Sequence, residues 1–262
     1  MLLSACAPPE TERLVVEAEA TGHSMALDLL VPEGGATEDT PVVWVIDGYY
    51  HFDALARHVA RRTRSGDLEP LVLVGVGYED LPPDSMANLM EIVTRREADL
   101  TWPEVTRDGA PVGGGGERFR EALVSELMPA VDERLDGAGG ERVLMGHSLG
   151  GLFALSEALV FGPDDSPFDV IVAASPSIWW AEGDLLVSER LLAQGRDDLN
   201  LSLMMGVGSL EGPTMIEPVA ILEEQLTARG YPSLEVDTTL VPSAHMQAAE
   251  LVFEASLQEL YP

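Results

Sequence analysis

One serine in this chain stands in a pattern that acyl chemistry requires. Gly146-His147-Ser148-Leu149-Gly150 fits G-x-S-x-G. A hydroxyl attacks a carbonyl when it is lifted onto a sharp turn and a neighbouring base takes its proton. Glycines two residues before and after it let the backbone bend there without side-chain clashes. The run RVLMGH upstream reads as a strand and LGGLFALSEAL downstream as a helix. That places Ser148 at a strand-to-helix turn, with the Leu149 amide and the positive end of the helix aimed at the reacting centre. The alternative is a glycine-softened turn between two packed elements, so the partners decide.

Enzymes with such a nucleophile elbow run serine, acid, histidine in chain order. Of the five histidines, His147 and His245 remain once those upstream of the elbow are set aside. His147 occupies the x position, where the side chain points away from the serine, and reads as a packed structural histidine. His245 falls between a strand-like run (LEVDTTL) and an amphipathic terminal segment (MQAAELVFEASLQEL), the expected place for the base. The acid belongs on the loop after the penultimate strand, where it would fix the histidine's tautomer. In LSLMMGVGSLEGPTM that residue is Glu211, with Glu217 as fallback and a solvated surface glutamate as the bland alternative. A second oxyanion donor usually follows the third strand. In WVIDGYYHF, Asp47-Gly48 turns the chain and Tyr49 offers its amide beside that of Leu149; the Tyr50 side chain would line the pocket or pack.

The elements that must position these residues alternate short apolar runs with longer helix-like patterns, the signature of an α/β domain. Strands are expected at 14–20, 25–31, 41–47, 71–77, 142–147, 170–175, 201–207 and 234–240. Helices are expected near 51–64, 117–135, 149–161, 184–194, 214–229 and 245–259. Residues 14–31 read as an antiparallel hairpin through Thr-Gly-His-Ser, and Gly162-Pro163 and Gly212-Pro213 mark boundaries. Near-continuous apolar runs elsewhere predict a mostly parallel central sheet with helices on both faces. Residues 79–116 lack strong periodicity and predict a long excursion over one end of the sheet, with Gly113–Gly116 a flexible loop. The expected organisation is a tether or signal-peptide remnant over 1–12 and a single domain over 13–262.

The charge balance excludes several functions. Net charge is −30, and all fifteen basic residues are arginine. Such a surface repels nucleic acid and anionic headgroups. It fits either adaptation to high salinity or compositional drift that exchanges lysine for arginine. A single cysteine, Cys6, permits no internal disulfide. Its setting, Leu3-Ser4-Ala5-Cys6, is similar to a bacterial lipobox, without the charged and apolar stretch of a full signal peptide before it. The expectation is an exported lipoprotein if that match is real, and a cytoplasmic protein otherwise. No segment offers about 18 uninterrupted apolar residues to span a membrane. Metal-binding and nucleotide-binding motifs are missing, so the expected partner is a small-molecule ester, with no cofactor and no metal.

Taken together, VIDGYY, LVLVGVGYED, RREADLT, GHSLGGLFAL, AASPSIWW, MGVGSLEG and PSAHM, in that order over about residues 25–260, resemble the esterase D-like family of α/β hydrolases. The similarity is strongest to periplasmic ferric-siderophore esterases of the enterobactin and salmochelin type. The resemblance implies the α/β-hydrolase fold, Ser148 as nucleophile, His245 as base and oxyanion amides at Tyr49 and Leu149. It also implies that a Ser-His dyad could suffice without Glu211. By the same resemblance Arg96 is a substrate anchor, or else a structural partner of Asp99, and Trp179 and Trp180 form an aromatic wall or pack the core. A −30 protein would repel an anionic iron chelate unless local arginines compensate, and seven of the fifteen lie between 57 and 107. The rival functions are acyl transfer on the same fold and a non-catalytic cell-surface binding protein.

Overall fold

The computed structural model describes residues 8–161 and 165–262. Cys6 and the Gly162-Pro163 boundary lie outside the described residues. Among the described residues, ten strands and eight α-helices, joined by short 3-10 and π turns, follow in the order β1 (Glu12–Ala18), β2 (His23–Leu30), β3 (Val42–Ile46), α1 (Gly48–Ser65), β4 (Val72–Tyr78), α2 (Met86–Asp99), β5 (Val105–Arg107), β6 (Ala110–Val112), α3 (Gly116–Ala122), α4 (Met128–Arg134), β7 (Arg142–His147), α5 (Leu149–Leu159), β8 (Val170–Ala174), α6 (Asp184–Leu192), β9 (Leu201–Gly208), α7 (Pro213–Arg229), β10 (Leu234–Val241) and α8 (His245–Leu260).

The main sheet has eight strands in the order β1-β2-β4-β3-β7-β8-β9-β10. β2 pairs antiparallel with β1 and β4, and every pair from β4 to β10 is parallel. β3, β4, β7 and β8 are buried almost throughout, as strands covered on both faces must be. On one face α1 and α8 pack Phe52, Leu55, Val59, Val252 and Phe253 against Val43, Val45, Met145 and Val172. On the other, side chains of α2 to α7 such as Ile92, Phe119, Val131 and Phe153 pack against Trp44, Ile46, Val74, Leu144 and Ile171. The expected α/β-hydrolase architecture, with its N-terminal antiparallel hairpin, is present.

Three local expectations are corrected. His23 and Ser24 belong to β2 and pair with Ala18 and Glu17, so the hairpin turn lies at 19–22, where Gly22 takes positive φ. The 79–116 excursion contains a fourteen-residue helix, α2, N-capped by the Ser85 hydroxyl on the Asn88 amide, and the short hairpin β5–β6. Finally, Gly113–Gly116 is a tightly packed crossing. A Cβ on Gly113 would lie 2.2 Å from Thr101 Oγ1, and one on Gly115 2.4 Å from the Ala98 carbonyl. The Gly114, Gly115 and Gly116 amides donate to Thr101 Oγ1, the Ala98 carbonyl and the Thr101 carbonyl. Glycine is required here for close approach rather than for flexibility.

Candidate active site

The elbow is built by contact between the end of β7 and the first turn of α5. A Cβ on Gly146 would lie 2.0 Å from the Gly150 carbonyl oxygen, so no larger residue fits. Ser148 sits at φ 58°, ψ −117°, a conformation an L-residue keeps only when its surroundings impose it. Three backbone bonds do so. Its amide donates to the Ala174 carbonyl, and its carbonyl accepts from the Leu152 and Ser177 amides, each at 3.0 Å. The half-buried hydroxyl lies 3.2 Å from Ser177 Oγ, its hydrogen-bond partner here.

Glu211 and His245 meet as the chain order predicts. Glu211 leaves the turn after β9, and His245 opens α8 after β10. His245 Nδ1 donates to Glu211 Oε2 at 2.6 Å, which leaves Nε2 free to accept a proton. The other carboxylate oxygen, Oε1, accepts from the Ser175 hydroxyl at 2.6 Å and the Gly208 amide at 2.8 Å. The Glu211 side chain is only 3% exposed, so this is a buried, fully bonded carboxylate rather than a solvated one. Glu217, the fallback, is an exposed residue within α7. Among the described hydrogen bonds none joins Ser148 Oγ to His245; in sites without substrate such bonds are often long and tighten on binding.

His147 is buried and its ring packs 4.6 Å from that of His245 and 5.4 Å from that of His51. Burial, reinforced by the two neighbouring imidazoles, pushes it down to about 3, so it is neutral near pH 7. Its Nε2–H then donates to the His245 backbone carbonyl at 3.0 Å. The His147 ring thus holds the backbone of the residue expected to act as base.

The turn after β3 is equally fixed. Asp47 adopts the left-handed conformation, φ 62°, ψ 42°, just before α1, and its carbonyl accepts from the Tyr50 amide. The Tyr49 and Leu149 amides lie in first helical turns, where no carbonyl four residues back within the helix can accept from them. The Asp47 carboxylate is 3% exposed. It accepts from Arg96 Nε at 2.7 Å, Arg96 Nη2 at 2.8 Å and the Tyr49 hydroxyl at 2.6 Å. Burial alone would raise its carboxyl; the Arg96 charge and these bonds outweigh that and hold it below the ordinary carboxylate value. Arg96 is therefore paired with Asp47 and not with Asp99, which instead accepts from the Tyr78 hydroxyl at 3.0 Å. Trp179 and Tyr50 are exposed, whereas Trp180 is 2% exposed and donates its indole N–H to the Pro103 carbonyl. Trp180 thus packs the core, the second of the two places the sequence left open for it.

Sequence reasoning did not single out Ser175 and Ser177. Both are buried in the turn after β8, Ser175 at φ 41°. The signal was the run AASPSIWW, polar hydroxyls directly after an apolar strand, but no spacing rule ties them to Glu211 or Ser148. Among the described residues no three His, Cys, Asp or Glu side chains converge as a metal-ligand set.

A family model described as "Putative esterase" matches residues 18–239. The chain belongs to that esterase family. Among its esterase relatives is "Ferri-bacillibactin esterase BesA" of Bacillus subtilis, 29% identical over 202 residues, which cover 71% of this chain and 68% of that protein. Another, "Siderophore triacetylfusarinine C esterase" of Aspergillus fumigatus, is 32% identical over 177 residues, or 65% of this chain and 56% of that protein. In solved structures the esterase fold recurs in the BES protein from Bacillus cereus, with TM-score 0.81 and 24% identity over 96% of both chains. It recurs also in siderophore hydrolase EstB from Aspergillus nidulans, with TM-score 0.77 and 22% identity over 97% of this chain and 96% of that one. No helix among the described residues is long and apolar enough to cross a membrane.

Proposed function

We propose that this chain is a serine-dependent carboxylic-ester hydrolase working through an acyl-enzyme. The observation that supports the reading is placement at one edge of the sheet, beyond the carboxyl ends of neighbouring parallel strands. The loops after β7, β9 and β10 deliver a strained serine, a buried carboxylate and a histidine bonded to it by the nitrogen that fixes its tautomer. Ser148 Oγ attacks the ester carbonyl as His245 Nε2 takes its proton, and the Leu149 and Tyr49 amides receive the oxyanion. His245 returns the proton to the leaving alcohol. Water then attacks the acyl-serine with the same base, releasing the acid and restoring Ser148. Glu211 holds the imidazole in position and stabilises its charged form. Each oxyanion donor in such sites contributes about 2.7–4 kcal/mol, so the placement of these two amides matters as much as the base.

The relatives named for siderophore esters make those compounds natural substrates to assay beside simple acyl esters. The first experiment compares native chain and Ser148→Ala on p-nitrophenyl esters from acetate to decanoate, at low and molar salt, with fluorophosphonate labelling alongside. Turnover is expected to fall about 10⁴–10⁶-fold in the variant, with labelling abolished. A variant that keeps turnover and labelling would overturn the assignment of Ser148.

A further inference from the structure

Four large apolar side chains stand exposed beside the proposed site, each just beyond the carboxyl end of a parallel strand. Tyr50 follows Tyr49 after β3, Trp179 lies two residues past Ser177 after β8, Leu210 precedes Glu211 after β9, and Met246 follows His245 after β10. Their exposures are 38%, 41%, 75% and 56% respectively. Single exposed apolar residues are ordinary on any surface. These four flank the oxyanion turn, the serine's hydrogen-bond partner, the acid and the base, and open α/β sheets bind ligands at this edge.

The charges nearby do not favour an anion. Arg96 is committed to Asp47, Arg95 to Asp80 and Arg107 to Glu97, all at 2.7–2.8 Å. Arg57, Arg61, Arg62 and Arg64 lie at least nine residues along α1 from its start at Gly48, roughly 14 Å or more from the site end at 1.5 Å per residue. The seven arginines between 57 and 107 thus supply no cluster aimed at the serine, and the chain as a whole carries −30.

We propose that Tyr50, Trp179, Leu210 and Met246 form a binding rim for the uncharged apolar part of the ester, so that the site selects neutral, apolar-chain esters over esters bearing an anionic group. This rests on the serine-hydrolase reading above. Binding a longer chain removes apolar surface from water on both partners. A terminal carboxylate would have to shed its hydration against these side chains, where the Arg96 charge beside Tyr50 is already paired with Asp47.

The test uses p-nitrophenyl acetate, butyrate and hexanoate, and the mono-p-nitrophenyl ester of adipic acid, which matches hexanoate in chain length but ends in a carboxylate. kcat/KM is expected to rise about three- to four-fold per methylene from acetate to hexanoate. The adipate ester should fall at least about ten-fold below hexanoate. Trp179→Ser, Leu210→Ser and Met246→Ser change exposed positions, and circular dichroism checks their fold; each should lower the hexanoate-to-acetate ratio. A flat length profile, an adipate ester as good as hexanoate, or ratios unmoved by all three variants would overturn the rim. With fluorophosphonate labelling of Ser148 intact, those outcomes leave the hydrolase reading standing. Absence of both labelling and Ser148-dependent turnover overturns both.

Discussion

Glu211 divides its two oxygens between two tasks, and that division predicts how it acts. Oε2 meets His245, while Oε1 is clamped by the Ser175 hydroxyl and the Gly208 amide. The clamp explains the glycine, since a Cβ on Gly208 would lie 2.4 Å from the Ser243 carbonyl and 2.8 Å from Oε1 itself. Glu211→Gln replaces one acceptor oxygen with a donor and favours the wrong imidazole tautomer. kcat for p-nitrophenyl butyrate should fall by up to about 10⁴-fold with little change in KM. Ser175→Ala removes one hydrogen bond to a charged group and should cost roughly 10-fold in kcat. If kcat in Glu211→Gln stays within three-fold of native, Ser148 and His245 suffice as a dyad and the buried carboxylate is structural.

At the scale of elements, the loops that carry Ser148 and His245 were legible because their rules are local. An apolar strand, a turn that admits only glycine and an amphipathic helix each leave a mark in consecutive residues. Helix α2 left a weak one: its buried side is small, with Ile92 and Asp99 its buried residues, and Met86, Met90 and Val93 are exposed. Its tie to the site is the ion pair from Arg96 to Asp47, 49 residues apart in the chain, which no periodicity announces. That pair ties α2 to the turn that carries the Tyr49 amide. Arg96→Met strands a buried carboxylate and should destabilise the fold by about 3–5 kcal/mol in urea unfolding. Asp47→Asn together with Arg96→Met should recover part of that loss, a coupling a double-mutant cycle reads directly. Where the variants remain folded, kcat should fall more than KM rises. Native stability with a raised KM alone would return Arg96 to the role of substrate anchor that the family resemblance implies.

The whole molecule carries 45 acidic residues against 15 arginines, and this excess acts over distances that no single contact describes. Folding gathers the carboxylates around one compact body, so their mutual repulsion opposes the folded state more than the unfolded chain. Salt shortens the reach of that repulsion, from about 10 Å at 0.1 M to about 3 Å at 1 M. The same screening weakens exposed pairs such as Arg13–Asp28 and Arg134–Glu12, but pairs of that kind contribute only about 0–1 kcal/mol each. Unmatched like charges outnumber them, so the repulsive part should win. The melting temperature should therefore rise between 0.05 M and 2 M potassium chloride, by about 2–4 °C for each kcal/mol of relieved repulsion. Sucrose at matched osmolality separates screening from general exclusion of cosolute from the surface, and should give the smaller rise. A melting temperature that stays flat or falls in potassium chloride would mean that the local ion pairs already balance the surface, and that the missing lysines reflect composition rather than adaptation to salt.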